Sequence, residues 1–264
     1  MKYNFDQDLH IHSQLSACSC DQEQSTENIL KYAIANNLKT ICLADHFWDE
    51  RVDNPSLWYS TQNFAHISKA LPLPQADGVR FLFGCETEID RNLRLGITRE
   101  RFDEFDFVVI PTTHLHMKEF TLPEGFDGDI KKKADLWVER FDALLSMDLP
   151  FQKIGIAHLL CALIERDEQK RIELLNLISQ SKLEELFTEC ARKGVGIELN
   201  VGDIKDMLRL GEPLYRIFKT AKDTGCKFYT ATDSHHPSNF LGVREVFEQA
   251  INVLDLKEKD KFNI

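Results

Sequence analysis

The chain has 264 residues, of which 43% are hydrophobic, enough for one large α/β domain or two small ones. Its formal net charge of −11 argues against a broad surface for nucleic-acid phosphates, so no nucleic-acid partner is expected. A small anionic substrate remains compatible with this charge, because bound metal cations reverse the local field.

Seven short apolar runs predict β-strands. Most runs are continuous rather than alternating, as in Thr40-Ile41-Cys42-Leu43-Ala44, which is typical of parallel strands buried on both faces. No run approaches the ~18 apolar residues of a membrane span. The predicted strands cover about 5–11, 39–44, 80–86, 106–112, 153–158, 195–200 and 227–232.

Helical patterns lie between these strands. Thr26 is the expected cap of the first helix, and Ser181-x-x-Glu184 is a capping box for a helix that Gly194 ends. The other predicted helices cover about 60–71, 131–147, 168–179, 212–224 and 239–254. Alternating strands and helices predict one α/β domain over residues 1–264, an incomplete or distorted TIM-like β/α barrel. An open doubly wound sheet is the alternative.

Two stretches break the alternation. Residues 47–60 are rich in aromatic side chains, and residues 115–130 lead into Lys131-Lys132-Lys133. Long loops inside a domain are often functional. The lysine run itself is interpreted as a solvated helix start.

The seven cysteines are odd in number and scattered in spacing. Cys18-Ser19-Cys20 does not have the spacing of a redox or zinc motif. The polar start of the chain does not resemble a signal peptide. Free thiols in a reducing cytoplasm are therefore expected.

Histidines cluster at one end of the predicted strands. His10 and His12 alternate along the first strand, so both rings are expected on one side, about 6.5–7 Å apart along the backbone. Eight of the nine histidines, all but His66, stand at or just after the carboxyl end of a strand. The carboxyl ends of the strands form the active site in β/α barrels and the ligand-binding site in open α/β sheets. The eight are His10, His12, His46, His114, His116, His158, His235 and His236.

Carboxylates stand at the same strand ends. Glu86 and Asp233 are candidate metal ligands, and a set this large suggests two or three metal ions with Glu86 bridging them. Asp45 is expected to orient a ring or cap a helix, and Glu88 to lie at the surface or behind a ligand. Asn200 is a candidate for a hydrogen bond near the site.

Six ordered motifs resemble the PHP (polymerase and histidinol phosphatase) superfamily from residue 6 to about 240. They are Asp8-x-His10-x-His12-Ser13, Asp45-His46, Gly84-x-Glu86, Pro111-Thr112-Thr113-His114, Ala157-His158 and Asp233-Ser234-His235. The resemblance implies a distorted (β/α)7 barrel with two to three divalent metal ions, zinc, manganese or iron. Its stand-alone relatives are histidinol-phosphatases and other phosphoesterases.

The resemblance also implies how the ligands are shared. A third ion would need one more ligand from the loop after the first motif, where relatives have Asp or His at the position of Cys18. Asp21, three residues further on, is the expected substitute, and the soft thiolate of Cys18 is the alternative. The implied sets are His10, His12, Glu86 and Asp233 for the first ion, Glu86, His114 and His158 for the second, and His46 and His235 for the third.

The expected activity is hydrolysis of a small phosphate monoester by a metal-bound hydroxide, with histidinol phosphate as the leading substrate. His235, His236 or His116 would protonate the leaving alkoxide. Candidate contacts to phosphate or substrate are Arg51, Arg91, Arg94 and the lysines 131–133.

Two alternatives remain open. One is a non-catalytic metal-binding or regulatory PHP domain. The other is an amidohydrolase-type barrel, which also opens with His-x-His and ends with Asp. Such sites commonly use a strand-end lysine as a bridging carbamate, whereas here no predicted strand ends in Lys and Glu86 stands where the bridge is needed.

Overall fold

A computed structural model describes residues 1–19 and 21–264, so Cys20 lies outside the described part of the chain. Parallel strands follow one another in the order β1-β2-β4-β5-β6-β7-β8, and the short β3 pairs with β4. The strands are β1 (Gln7–Ile11), β2 (Thr40–Leu43), β3 (His46–Phe47), β4 (Arg80–Thr87), β5 (Phe107–Pro111), β6 (Ile154–Ala157), β7 (Gly196–Asn200) and β8 (Lys227–Ala231). The architecture is the predicted distorted TIM-like (β/α)7 barrel.

Helices cover the outside of the sheet. They are α1 (Thr26–Ala35), α2 (Phe64–Ile67), α3 (Ile130–Ser146), α4 (Glu168–Leu177), α5 (Gln180–Lys193), α6 (Val201–Leu210), α7 (Leu214–Asp223) and α8 (Val243–Val253). The prediction over 60–71 is wrong in extent, since only the four residues of α2 are α-helical and short 3₁₀ turns flank them.

Helix α6 has no counterpart among the predicted elements. The side chain of Asn200 accepts a hydrogen bond from the Gly202 N–H at 2.8 Å, so the helix begins directly after β7. The apolar run of the strand continues into Val201, and Gly202 has a low helix propensity. Because of these two features, the sequence pattern does not show where the strand ends and the helix begins.

Two predicted helix caps are displaced. The first helix is capped by Ser25 rather than Thr26, and α5 by Ser179 rather than Ser181. The Ser179 side chain accepts a hydrogen bond from the Lys182 N–H at 3.2 Å. The predicted end of α5 is confirmed, because Gly194 adopts the left-handed conformation that glycine favours (φ 74°).

Ser179→Ala is expected to lower the free energy of unfolding by about 1 kcal/mol, because it removes the cap of α5. Ser181→Ala is the matched control, since Ser181 lies inside the helix and its hydroxyl caps no backbone group. Urea denaturation of both variants measures the difference. Equal losses in the two variants would contradict the assignment of Ser179 as the cap.

The barrel closes between β1 and the end of β8. The Asp233 N–H donates to the His10 carbonyl at 2.8 Å, and the His12 N–H donates to the Ser234 carbonyl at 3.0 Å. Asp8 strengthens this seam by accepting from the Thr232 N–H at 3.0 Å. Burial raises the pKa of the Asp8 carboxyl to about 7. The closure places His10, His12 and Asp233 at one end of the barrel.

A bulge in β1 sets the direction of its histidines. Asp8 is opposite Ile41, but Ile11 is opposite Leu43, so β1 has one extra residue in this interval. Leu9 belongs to the apolar cluster that fills the barrel, whereas the rings of His10 and His12 turn toward its mouth. The cluster consists of Leu9, Cys42, Ala44, Leu82, Phe107, Val109, Ala157, Tyr229, Ala231 and Phe262.

Three further predictions concern the lysine run, the cysteines and membrane-spanning segments. Lys131 and Lys132 pair with Asp135 and Asp127, each at 2.7 Å, on the exposed start of α3, so the interpretation as a solvated helix start is confirmed. The six cysteines that the structure describes are free. Among the described helices, none combines the length and the apolar character needed to cross a membrane.

Candidate metal centre

Glu86, at the end of β4, lies at the centre of the histidine cluster. Its side chain is almost completely buried. The Oε2 atom is 2.9 Å from His46 Nδ1, 3.4 Å from His12 Nε2 and 3.5 Å from His10 Nε2. One oxygen therefore faces three imidazole nitrogens.

The other oxygen of Glu86 faces a second pair of rings. Its Oε1 atom is 3.1 Å from His158 Nε2 and 3.9 Å from His114 Nε2. The rings of His114 and His158 stack with their centroids 4.8 Å apart. The carboxylate thus lies between two sets of nitrogen donors, as a bridging ligand would.

The nitrogen and oxygen atoms of the cluster are arranged to bind metal ions rather than to hydrogen-bond with one another. His10 Nε2 and His12 Nε2 are only 3.0 Å apart, and Asp233 Oδ1 is 3.1 Å from His12 Nε2. His46 Nδ1 is buried without a hydrogen-bond partner although Glu86 Oε2 is 2.9 Å away. Nitrogen and carboxylate lone pairs that converge in this way are suited to a shared divalent cation.

Three groups of side chains have ligand atoms close enough together to hold a metal ion. Within each group the atoms lie within 4.8 Å of one another, and Glu86 and His12 each belong to two groups. The groups are His10, His12 and Glu86; Glu86, His114 and His158; and His12, His46 and His235.

Carboxylates behind two of the rings fix their orientation. His10 Nδ1 is 2.8 Å from Glu198 Oε1, and His114 Nδ1 is 2.7 Å from Glu88 Oε2. Such a contact keeps the proton on Nδ1 and leaves the Nε2 lone pair free for a metal ion. The Nε2 atoms of both rings face Glu86.

Hydroxyl groups anchor two further rings. Ser16 Oγ is 2.9 Å from His12 Nδ1 and donates to Asp45 Oδ1 at 2.8 Å. Thr113 Oγ1 is 3.2 Å from His158 Nδ1. Asp45 therefore orients a ring through Ser16, as the sequence suggests.

The electrostatics of the cluster favour bound cations. Burial alone would raise the pKa of Glu86, but the His46 and His10 imidazoles outweigh it and hold the pKa well below its usual range. Burial opposes a charge on His10, yet Asp233, Glu198 and Glu86 raise its pKa well above the usual value. Protons and metal ions compete for such lone pairs.

Two histidines at the mouth are held neutral. Burial, followed by the effect of His12, lowers the pKa of His235 to about 3. Burial and the neighbouring His114 lower the pKa of His116 to about 4. Neutral imidazole is the form that binds metals, whereas a general acid needs a pKa near the working pH.

A cavity of about 860 Å³ opens above the cluster. Glu86, His114, His158 and Asp233 reach it from the strand ends, and His116 stands on its exposed rim. Both long stretches that interrupt the predicted strand–helix alternation, 47–60 and 115–130, contribute to the wall of the cavity. The remaining wall residues include Trp58, Tyr59, Met117, Cys161, Leu163, Asn200 and Lys205.

The structure does not bring Asp21 into a ligand group. Its Oδ2 atom is 2.7 Å from His236 Nε2, and its Oδ1 atom accepts from the Glu23 N–H, so both oxygens are engaged in the loop. The group that contains His46 and His235 has His12 as its third member. Cys18 lines the cavity, but burial and then the charge of Glu86 raise the pKa of its thiol, which disfavours a thiolate.

His236 also departs from the expected arrangement. Its Nδ1 atom accepts from the Ser238 N–H at 3.1 Å, and its Nε2 atom faces Asp21. Both ring nitrogens are therefore occupied outside the cavity. The neighbouring His235, by contrast, belongs to the group with His12 and His46, and its Nδ1 atom is 2.8 Å from the Asp233 carbonyl.

The expected phosphate contacts are not at the cavity. Arg51 pairs with Asp49 at 3.1 Å, and Arg94 pairs with Asp90 at 2.8 Å. Neither arginine lines the cavity, nor do Arg91 and the lysines 131–133. Lys205 on α6 is the lysine of the described chain that lines it, and it was not predicted because α6 was not.

Glu198 was not assigned a role from the sequence, whereas Glu88 takes the second of its two expected positions, behind the ring of His114. Both side chains are fully buried. The available signal was a single carboxylate within an apolar strand, as in Gly196-Ile197-Glu198-Leu199. Acidic residues are almost never fully buried without a partner.

A parallel barrel with buried histidines and carboxylates at the carboxyl ends of its strands has the donor groups needed to hold metal ions. A family model described as PHP domain matches residues 8–202 of the chain. The chain belongs to the PHP domain family. The matched region ends before Asp233 and His235, which lie beside His12 in the same cluster.

A histidinol phosphate phosphatase from Lactococcus lactis, described as complexed with zinc, L-histidinol and phosphate, shares the fold. It is 18% identical, the alignment covers 98% of this chain and 99% of that one, and the TM-score is 0.64. A search of curated proteins found no significant match.

Two other solved structures are more distant. A Xaa-Pro dipeptidase aligns over 96% of this chain and 72% of its own, with 11% identity and a TM-score of 0.43. Metal-dependent tyrosine phosphatases from Bacillus subtilis and Streptococcus pneumoniae align over 97% of this chain and 96% of theirs, with 13% identity and a TM-score of 0.37.

Proposed function

We propose that the chain is a metal-dependent phosphoesterase that hydrolyses a small phosphate monoester. The observation that carries this proposal is the position of Glu86 between two sets of imidazoles at the floor of an open cavity. Phosphoryl transfer requires neutralised phosphoryl oxygens and a nucleophile available at neutral pH. Bound divalent ions supply both, by clamping the oxygens and by lowering the pKa of water to about 7.

The ligand sets combine those implied by the family motifs with the groups of converging atoms, and Asp233 is added because its Oδ1 atom is 3.1 Å from His12 Nε2. We assign His10, His12, Glu86 and Asp233 to a first ion, and Glu86, His114 and His158 to a second. His46 and His235 would contribute to a third ion. His12 is assigned to the first ion alone, because its Nδ1 atom is engaged with Ser16 and Nε2 is its one free ring nitrogen. Zinc, manganese and iron all suit these nitrogen and oxygen donors.

The protein's own groups prepare the cavity for the ester. Glu198 and Glu88 keep the protons of His10 and His114 on Nδ1, away from the ligand side. The neutral ring of His116 stands at the rim, where the leaving group would emerge. Trp58, Tyr59 and Leu163 provide an apolar wall that limits the access of water to that group.

Histidinol phosphate is the first substrate to assay. The Lactococcus lactis protein of the same fold is described with L-histidinol and phosphate. The cavity of about 860 Å³ lies within the range of small-molecule sites and leaves room for a group attached to the phosphate.

Elemental analysis of the purified protein, followed by assays on a panel of phosphate monoesters, tests the proposal. Stoichiometric zinc, manganese or iron and turnover that chelation removes and metal restores are expected. Bound metal without turnover of any phosphoester would instead favour a non-catalytic metal-binding or regulatory domain. Hydrolysis of amides but not phosphoesters would favour the amidohydrolase alternative.

The neighbouring residues His235 and His236 form a matched pair for mutagenesis. His235→Ala is expected to lower kcat/KM at least about 100-fold, or about 2.7 kcal/mol, because it removes a ligand. His236→Ala should leave kcat/KM within about threefold of wild type, because its ring is tied to Asp21 outside the cavity. Steady-state kinetics distinguish the two; a larger loss in His236→Ala would refute this assignment.

A further inference from the structure

Glu198 contacts two of the ligand groups at the same time. Its Oε1 atom is 2.8 Å from His10 Nδ1, and its Oε2 atom accepts the backbone N–H of His158 at 2.5 Å. His10 belongs to the group with His12 and Glu86, whereas His158 belongs to the group with His114 and Glu86. A single carboxylate on β7 therefore supports ligands of two proposed metal ions.

The environment of Glu198 argues for a role beyond packing. The side chain is 0% exposed, and its ion-pair partner among the described residues is His10. Burying a carboxylate without a strong cation is unfavourable unless hydrogen bonds compensate. Here the compensating donors are one ligand ring and the backbone of another ligand.

The backbone of His158 requires such a restraint. Its φ of 27° lies in the left-handed region, which residues with a side chain rarely adopt. The Glu198 carboxylate and the Thr113 hydroxyl, which donates to the His158 carbonyl at 3.1 Å, hold this conformation from both sides. The conformation directs His158 Nε2 to within 3.1 Å of Glu86 Oε1.

We infer that Glu198 is a positioning residue that sets the geometry of two metal-binding groups together, through the ring of His10 and the backbone of His158. This role rests on the proposed metal centre. It assigns to β7 a part in the site that neither the motifs nor the ligand groups include.

Glutamine at this position cannot reproduce both contacts. An amide has one acceptor oxygen, while His10 Nδ1–H and His158 N–H are both donors. If the oxygen serves His158, the amide NH₂ faces His10 and favours the tautomer with its proton on Nε2, the metal-facing atom. If the oxygen serves His10, the His158 N–H loses its acceptor. Either arrangement weakens metal binding.

Glu88 provides the matched comparison. Its Oε2 atom contacts the ring of His114, and its Oε1 atom accepts from Arg140 and from the Ile89 N–H. Among the ligand groups it therefore touches only the one that contains His114. Glu88→Gln should weaken one metal site, whereas Glu198→Gln should weaken two.

The experiment is a titration of the chelator-stripped 264-residue chain with Zn²⁺ in competition with a chromophoric chelator. Wild type, Glu198→Gln, Glu198→Asp and Glu88→Gln are compared, and circular dichroism confirms that each is folded. In Glu198→Gln two sites are expected to bind about 10- to 100-fold more weakly. Glu198→Asp, which keeps two acceptor oxygens, should restore part of this loss.

The outcomes separate this role from the proposed function. An unchanged isotherm in Glu198→Gln, or a loss at one site equal to that in Glu88→Gln, would overturn the role. So would equally weak binding in the Asp and Gln variants. A wild-type chain that binds no Zn²⁺ would overturn the metal centre and this role together, whereas tight wild-type binding without turnover would affect the proposed function alone.

Discussion

Glu86→Gln is expected to lower kcat/KM for phosphate monoesters by about 1,000-fold, equivalent to about 4 kcal/mol. Glutamine keeps the shape of the side chain but removes the charge and one of the two ligand oxygens. The two oxygens of Glu86 face His12 and His46 on one side and His158 on the other. The substitution should therefore disturb all the proposed metal ions, which elemental analysis would show as a lower metal content.

Glu189→Gln is a suitable control for this experiment. Glu189 lies on α5 and pairs with Arg192 at the surface at 2.6 Å. Both the metal content and the rate should match those of the wild type. Retention of a full metal complement and full activity by Glu86→Gln would exclude Glu86 as the bridging ligand.

Arg140→Met is expected to lower the free energy of unfolding by about 3–5 kcal/mol, because it breaks a buried ion pair on one side. The Arg140 guanidinium donates to Glu88 Oε1 at 3.0 Å and to the carbonyls of Ile89 and Thr112 at 2.8 and 2.9 Å. Methionine occupies a similar volume without donors, so the Glu88 carboxylate would remain buried without its cation. Urea denaturation measures the loss.

Arg192→Met is the matched control for Arg140→Met. Its guanidinium pairs with Glu189 on an exposed helix face, where ion pairs contribute little. No measurable change in stability is expected for it. Similar losses in the two variants would show that the buried position of Arg140 is not the cause.

Much of the candidate centre follows from the sequence because parallel strands end at a common edge. Glu86, His114 and His158 follow apolar runs and His10 lies near the end of β1, and the fold brings these ends together whatever the details of the helices. The barrel and the convergence of the ligand residues were predictable for this reason. Their roles as ligands and catalytic groups remain predictions that the proposed experiments address.

The parts that could not be predicted depend on loops and on contacts across strands. Asp21 was placed by counting residues along a loop, but its carboxylate turns to His236 and to its own backbone. The support of His10 by Glu198 joins residues 188 positions apart, which no local pattern encodes. Helix α6 was missed because Asn200 begins it without an intervening loop.

The seam between β1 and the end of β8 has a kinetic consequence. His10 and His12 come from the start of the chain and Asp233 from near its end, and their backbones hydrogen-bond directly. Contacts between residues so distant in sequence are slow to form, since a long loop must first close. During synthesis, the proposed first ligand set would stay incomplete until residue 233 has left the ribosome. Binding of metal by all four of its members would therefore require that this seam has closed.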